Sequence, residues 1–227
     1  MQQFYVLHYF KTMFPAKISY YEVIQPKIWA PPITCAVCGQ NVGPELWLPP
    51  QRVRLSSANP DCWQDVMWGV PGLFLVSERF RKIYEGEGLT GLDPFDPPVV
   101  IEKLGKYKKG VFPVDLPTYY LASIPWGRGV IDQEKSEFVY EHRENEIYCR
   151  LGRHNGFLES FERYMVKEGS WPGDDFFAPI SPQWICLGSD RLAQIMKKYD
   201  IRGLNLVPVE KFVYRFHGPR SYIIRED

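Results

Sequence analysis

Two segments of the chain share one pattern of apolar and polar positions. Each begins with an apolar run, Leu73–Val76 in the first and Ile185–Leu187 in the second, and continues into a serine, an acidic residue and an arginine. Segments 72–93 and 184–205 align without gaps at a constant offset of 112 residues. Because a repeat constrains architecture more strongly than local propensity does, this pattern predicts two related halves.

Each segment is predicted to form a strand, a helix and a second strand. Ser77 and Ser189 are placed to cap the helices, because a serine oxygen can accept a hydrogen bond from a free N–H group of the first turn. The helices are expected to end near Gly88 and Asp200. Apolar residues at helical spacing predict one core-facing stripe on each helix. The stripe residues are Phe80, Ile83 and Tyr84 in the first helix and Leu192, Ile195, Met196 and Tyr199 in the second.

A weaker similarity extends the repeat toward the start of each half. Phe4–Leu7 resembles Tyr119–Ala122 as an opening strand. The pattern as a whole predicts an α+β fold with two related halves from an internal duplication. Residues 1–105 would form the first half, with its Cys-x-x-Cys-Gly turn, and residues 106–227 the second. We expect them to pack as one compact unit.

Composition narrows the classes of partner and the compartment. Lys plus Arg equals Asp plus Glu, at 27 each, so the overall charge does not favour nucleic acid or an anionic membrane. The first residues do not read as a secretory signal, and no run approaches the roughly 18 apolar residues of a membrane-spanning helix. Five cysteines are an odd number, typical of reduced thiols or a metal site. We therefore expect a cytoplasmic protein with no membrane or nucleic-acid partner.

The segment Cys35-Ala-Val-Cys38-Gly39 is the sharpest local motif. Two thiolates separated by two residues can bind one zinc ion from a tight turn, but they supply only half of a tetrahedral site. The repeat places Cys149 at the corresponding point of the second half, with His154 as a substitute fourth ligand. The sequence thus predicts a zinc site formed by Cys35, Cys38, Cys149 and His154. The alternative is a decayed site with reduced thiols.

Groups that could support catalysis form no recognised arrangement. The four histidines lie in no nucleophile or metallohydrolase motif. The pair Asp174-Asp175 is more typical of solvated loop residues than of an acid–base dyad. Gly86–Gly91 has dinucleotide-binding spacing, but it follows a helix and precedes a strand, which is the reverse of the required order. We assign it to a helix-terminating turn, assign no catalytic residue and do not expect an enzyme.

Aromatic side chains make up 15% of the chain, and several tryptophans lie in segments rich in proline and glycine, where a ring can stay partly exposed. Exposed aromatic residues beside acids are typical of protein interfaces. The alternative is that these rings anchor long loops to the body of the protein. The candidate partner-binding residues are Trp63, Trp68, Trp126, Trp171, Asp174 and Asp175.

The opening strand, the Cys35–Gly39 turn and the unit around Ser77-Glu-Arg79 resemble the bacterial double-CXXCG immunity proteins, which are encoded beside polymorphic or contact-delivered toxins. Lys135–Phe138 resembles a phrase of the broader group of toxin-immunity proteins. Family members carry two Cys-x-x-Cys-Gly elements, whereas this chain keeps one, and Gly152 replaces a cysteine of the other. This departure bears on metal binding more than on fold or role.

The resemblance implies stoichiometric inhibition of a cognate toxin, by occlusion of its active site or of its substrate route. Two alternatives remain open from the residues alone. One is a small cytoplasmic enzyme of unknown chemistry, and the other is a zinc-knuckle adaptor. An adaptor for nucleic acid is disfavoured by the zero net charge.

Overall fold

In a computed structural model, the described part of the protein consists of short strands and two α-helices. The structure describes residues 2–8, 19–32, 34–37, 39, 46–70, 72–93, 95, 97–106, 115–141, 157–180, 185–215 and 222–224. The helices in these ranges are α1 (Glu78–Gly86) and α2 (Asp190–Lys198). The strands are β1 (Phe4–His8), β2 (Tyr21–Val23), β3 (Ile28–Trp29), β4 (Trp47–Leu48), β5 (Arg52–Ser57), β6 (Val66–Val70), β7 (Leu73–Ser77), β8 (Val100–Lys106), β9 (Tyr119–Ser123), β10 (Trp126–Val130), β11 (Val139–Glu141), β12 (Phe157–Phe161), β13 (Phe176–Ile180), β14 (Leu187–Ser189), β15 (Asn205–Pro208), β16 (Phe212–Arg215) and β17 (Tyr222–Ile224). The predicted mixture of helix and strand is confirmed.

The described strands form small sheets, two of which position the helices. One has the order β6-β7-β9 and the other the order β10-β13-β14-β1-β15. Helix α1 follows directly from β7, and helix α2 follows directly from β14. The remaining sheets have the orders β2-β5-β8, β11-β12-β16-β17 and β3-β4.

The opening strand of each predicted half pairs with the repeated strand of the other half. Strand β9 lies antiparallel to β7, with Tyr119 opposite Ser77. Strand β1 lies antiparallel to β14, with Phe4 opposite Ser189. The two pairings have the same register relative to the helix-capping serines. We call β1 and β9 the exchanged strands, because each pairs with a strand of the other half. They join residues 1–105 to residues 106–227.

Both helices begin and pack as their sequences predict. The Ser77 hydroxyl accepts from the Phe80 N–H group at 3.1 Å, and the Ser189 hydroxyl accepts from the Leu192 N–H group at 3.1 Å. The apolar stripes of both helices pack in one core cluster with residues of β6, β7, β9 and β13. Burial of this shared apolar surface favours the side-by-side arrangement of the two repeated units.

The helix ends also follow the repeat. Gly88 has a φ of +61° after α1, and Asp200 has a φ of +48° after α2. This left-handed conformation stops a helix and is easily adopted by glycine. The predicted end points near Gly88 and Asp200 are therefore confirmed, and Gly86–Gly91 is a helix-terminating turn.

The second strand of the repeated unit is confirmed in only one copy. Strand β15 follows α2 and pairs with β1, whereas residues 93 and 95, at corresponding positions of the first half, are not in a strand. The prediction of a strand is wrong at these two positions, and residues 94 and 96 lie outside the described residues. The chain nevertheless runs beside β9, because the Asp93 N–H group donates to the Ser123 carbonyl at 3.0 Å and Pro98 forms an isolated bridge with Tyr120. Pro97 and Pro98 have no N–H group to donate, so neither can form a full pair of ladder hydrogen bonds with β9.

Candidate functional site

Asp65 stands at the centre of a polar cluster at the start of β6. Its carboxylate is buried and accepts hydrogen bonds from the Ser77 hydroxyl at 3.0 Å and from the Arg79 guanidinium at 2.6 Å. A third bond comes from the backbone N–H group of Arg202 at 3.1 Å. Arg79 also donates to the carbonyl of Tyr199, where α2 ends. We call Asp65, Ser77 and Arg79 the Asp65 clamp.

Asp175 has the same surroundings at the start of β13. Its buried carboxylate accepts from the Ser189 hydroxyl at 2.7 Å and from the Arg191 guanidinium at 2.9 Å. The backbone N–H group of Thr90 donates a third bond at 3.1 Å. Arg191 also donates to the carbonyl of Glu87, just past the end of α1. We call Asp175, Ser189 and Arg191 the Asp175 clamp.

The two clamps are equivalent, and each joins the two predicted halves. The arginine on each helix reaches the C-terminal end of the other helix, where carbonyl groups lack partners within the helix and carry partial negative charge. Each carboxylate also holds a backbone N–H group of the other half. Each buried carboxylate is paired with the arginine of its own half, and the N–H group of the other half completes its hydrogen bonds.

A glycine of each half also lies against the backbone of the other half. A Cβ atom on Gly203 would lie 1.9 Å from the Val66 carbonyl oxygen, and one on Gly91 would lie 1.8 Å from the Phe176 carbonyl oxygen. Both glycines have positive φ, at +98° and +97°. Any other residue at these positions would collide with the facing carbonyl and would also strain the backbone.

Each exchanged strand also contributes a tyrosine to the first turn of the helix beside it. The Tyr5 hydroxyl donates to the Asp190 carboxylate of α2 at 3.4 Å. The corresponding bond from Tyr120 to Glu78 of α1 raises the pKa of Tyr120 and lowers the pKa of Glu78. Burial, followed by the charge of Asp190, raises the pKa of Tyr5. These tyrosines are neutral hydrogen-bond donors, so they do not function as general bases near neutral pH.

The four candidate partner-binding tryptophans are all half-buried. Trp68 and Trp126 lie in strands and pack against the core that the two helices share, so their assignment to connecting segments is wrong. Trp63 and Trp171 lie in connecting segments, where their indole N–H groups donate to the carbonyls of Ser57 and Asp174, each at 2.9 Å. The rings therefore have structural contacts, and their role in partner binding stays a prediction.

The expectation that Asp174 and Asp175 are solvated loop residues is wrong. Asp174 is 8% exposed and pairs with the Arg128 guanidinium at 2.7 Å, while Asp175 is 2% exposed and is held in its clamp. Each carboxylate has its own arginine, which is Arg128 for Asp174 and Arg191 for Asp175. Their predicted role in partner binding is untested, but both carboxylates already have partners within the protein.

Asp65 is the polar residue that sequence reasoning missed. It stands directly before β6 as Asp175 stands directly before β13, and the two carboxylates are 110 residues apart. An ungapped extension of the repeat at an offset of 112 pairs Asp65 with Phe177, so a gap of two residues is needed to align Asp65 with Asp175. This gap hides the correspondence, and neither aspartate has a motif of its own.

Part of the predicted zinc site can be placed. The Cys35 side chain is buried, and the Val37 N–H group points to its sulfur at 3.5 Å. The Gly39 N–H group donates to the Cys35 carbonyl at 2.8 Å, and Gly39 has a φ of +69°. Cysteine sulfur is a preferred zinc ligand, so this turn presents one residue of the type that a zinc site requires. Cys38, Cys149 and His154 lie outside the described residues, and within those residues no three His, Cys, Asp or Glu side chains are grouped to hold a metal ion.

The ribbon formed by β3 and β4 carries an exposed apolar face. Ile28 lies opposite Leu48, and the Ala30 N–H group donates to the Leu46 carbonyl, so Leu46 follows on the same face. Ile28, Leu46 and Leu48 are 53%, 42% and 39% exposed. We call these three residues the ribbon face. Trp47 points the opposite way and is buried, so both sides of the ribbon are apolar.

Comparison with models of known protein families and with curated proteins finds no match to this chain. Neither helix of the described part has the length and hydropathy that a membrane-spanning helix needs. The likeness to double-CXXCG immunity proteins therefore stands on the short motifs named above.

Proposed function

We propose that this chain is a cytoplasmic immunity protein that binds a cognate bacterial toxin and blocks its active site or its substrate route. The resemblance around Cys35–Gly39 and Ser77–Arg79 supports the choice of partner. The observation that carries the binding role is the ribbon face, which holds three large apolar side chains in water on a short, paired ribbon.

The composition around the ribbon favours a protein partner over nucleic acid. Residues 24–50 contain one lysine and one glutamate, although charged residues make up 24% of the whole chain. The buried centres of protein interfaces are depleted of charge and enriched in large apolar groups. Binding to nucleic acid instead requires clustered lysine and arginine. The ribbon face has the first composition and lacks the second.

An internal duplication would account for the paired clamps. We infer that the two halves derive from one ancestral unit, because the clamp residues, the capping serines and the exchanged strands correspond one to one. We also propose one zinc ion bound by Cys35, Cys38, Cys149 and His154, which would fix the turn beside the ribbon. Trp63, Trp68, Trp126, Trp171, Asp174 and Asp175 remain candidates for contacts with the toxin.

The experiment is co-expression with the toxin encoded by the adjacent gene, followed by survival assays and co-purification. We expect survival together with a stable complex, because an inhibitor that must silence each toxin molecule requires slow dissociation. The variant Ile28→Ser/Leu48→Ser should weaken the complex by at least about tenfold, since each side chain would lose about 1 kcal/mol or more of apolar burial.

The matched control is Val139→Ser, because Val139 is 49% exposed on β11, away from the ribbon in sequence. It should leave binding and survival unchanged. Survival without any physical complex would contradict the proposal and favour the enzymatic alternative. A complex that tolerates both serine substitutions on the ribbon would place the interface elsewhere.

A further inference from the structure

We propose that the two predicted halves are each other's binding partners, so that a folded chain cut between them remains a 1:1 complex. This inference concerns the molecule itself and does not depend on the proposed function. Its basis is the set of contacts that cross from residues 1–105 to residues 106–227.

Each exchanged strand pairs with strands of the other half. In the described residues, both strand neighbours of β1 come from the second half, because β1 lies between β14 and β15. Strand β9 of the second half pairs along the full length of β7 in the first half. A separated half would leave unpaired backbone N–H and C=O groups along these strands, which is costly when they are buried.

The clamps would also lose hydrogen-bond partners if the halves were separated. Without the second half, the Asp65 carboxylate would lose the N–H group of Arg202, and Arg79 would lose the carbonyl of Tyr199. Without the first half, Asp175 would lose the N–H group of Thr90 in the same way. These bonds involve charged groups, for which the loss of a partner is more costly than for neutral groups.

The core around the two helices contains side chains from both halves. Phe80 and Tyr84 on α1 pack against Phe176 of β13, with ring centroids 6.2 Å apart in both pairs. The same cluster contains Leu192 and Met196 of α2. Separation would expose apolar surface from both halves at once, and that surface supplies the main driving force for their association.

The test uses the full chain with a protease recognition sequence inserted between Lys109 and Gly110, cut after folding. We expect both fragments to co-elute in equal amounts on gel filtration under native conditions. The melting temperature of the cut protein should rise with protein concentration, whereas that of the intact chain should not, because unfolding of the cut form releases two molecules. Fragments that elute separately, or a melting temperature independent of concentration, would overturn the proposal.

Clamp variants of the cut protein provide a second measurement. Arg79→Gln and Arg191→Gln should each raise the dissociation constant between the fragments by about tenfold or more. The matched control is Arg54→Gln, because Arg54 pairs with Glu22 inside the first half at 3.4 Å. It should leave the dissociation constant unchanged. Equal effects from the clamp and control variants would show that the clamps do not hold the halves together.

Discussion

The guanidinium of Arg79 joins the carboxylate of Asp65 to the end of the other helix, since it donates both to Asp65 at 2.6 Å and to the Tyr199 carbonyl. This one side chain connects the start of β6, the first turn of α1 and the last turn of α2. Its counterpart Arg191 joins the carboxylate of Asp175 to the Glu87 carbonyl, just past the end of α1.

Replacing Arg79 with alanine should lower the free energy of unfolding by about 1–3 kcal/mol. The Asp65 carboxylate would stay buried without its charged partner, although Ser77 and the N–H group of Arg202 would still donate to it. Chemical denaturation measures the change. The control Lys82→Ala removes a highly exposed cation from the same helix and should cost no more than about 0.5 kcal/mol. Equal losses would contradict the role of the clamp.

Replacing Gly203 with alanine should be more damaging than replacing Gly173. Both glycines have positive φ, at +98° and +97°, so both variants strain the backbone. At Gly203 the new Cβ atom would also collide with the Val66 carbonyl, whereas at Gly173 it would meet nothing within 4 Å. We expect Gly173→Ala to cost about 1–2 kcal/mol and Gly203→Ala at least twice as much, measured by thermal unfolding. Similar melting temperatures for the two variants would contradict the close packing at Gly203.

The two helices of the repeated segments could be predicted from the sequence, because a few neighbouring residues determine where each helix begins and ends. A serine before an amphipathic stripe predicts a capped helix, and the bonds to Ser77 and Ser189 confirm it. Glycine after the stripe predicts the helix end. These signals act over a few residues, so a single sequence contains them in full.

Strand partners could not be predicted in the same way. The apolar pattern of β1 fits any neighbouring strand, and its pairing with β14 depends on contacts about 180 residues away in the chain. The clamp at Asp65 was missed because its bonds come from separate elements, including the N–H group of Arg202, which is 137 residues away. The arginines that pair with Asp174 and Asp175 lie 46 and 16 residues away, outside any local motif. Such assignments require the tertiary fold.

Raising the pH should destabilise the protein through Cys186. Burial raises the pKa of the Cys186 thiol to about 12, whereas an unfolded thiol has a pKa of about 8.5. Between these values the unfolded state releases a proton that the folded state retains, so the free energy of unfolding falls as pH rises. Denaturation midpoints between about pH 8 and 10 should show this fall. It should be smaller in Cys186→Ala, and an equal slope in the two proteins would assign the pH dependence to other groups.

Zinc content tests the cysteine turn. Protein purified without chelator should contain one equivalent of zinc, and Cys35→Ser should lose it, because a serine hydroxyl is a poor substitute for a thiolate ligand. Elemental analysis gives the ratio. Cys62→Ser is the matched control, since Cys62 is buried but lies outside the predicted ligand set. Wild-type protein without zinc would support the decayed site instead.

The pairing of β1 with strands of the second half also affects how the chain folds during synthesis. Strand β1 leaves the ribosome about 180 residues before β14, its partner. At translation rates of roughly 5–20 residues per second, this delay is on the order of 10 to 40 seconds. During this time the apolar segment Phe4–Leu7 has no strand of the second half to pair with, so nascent chains should depend on chaperones that bind exposed strand segments.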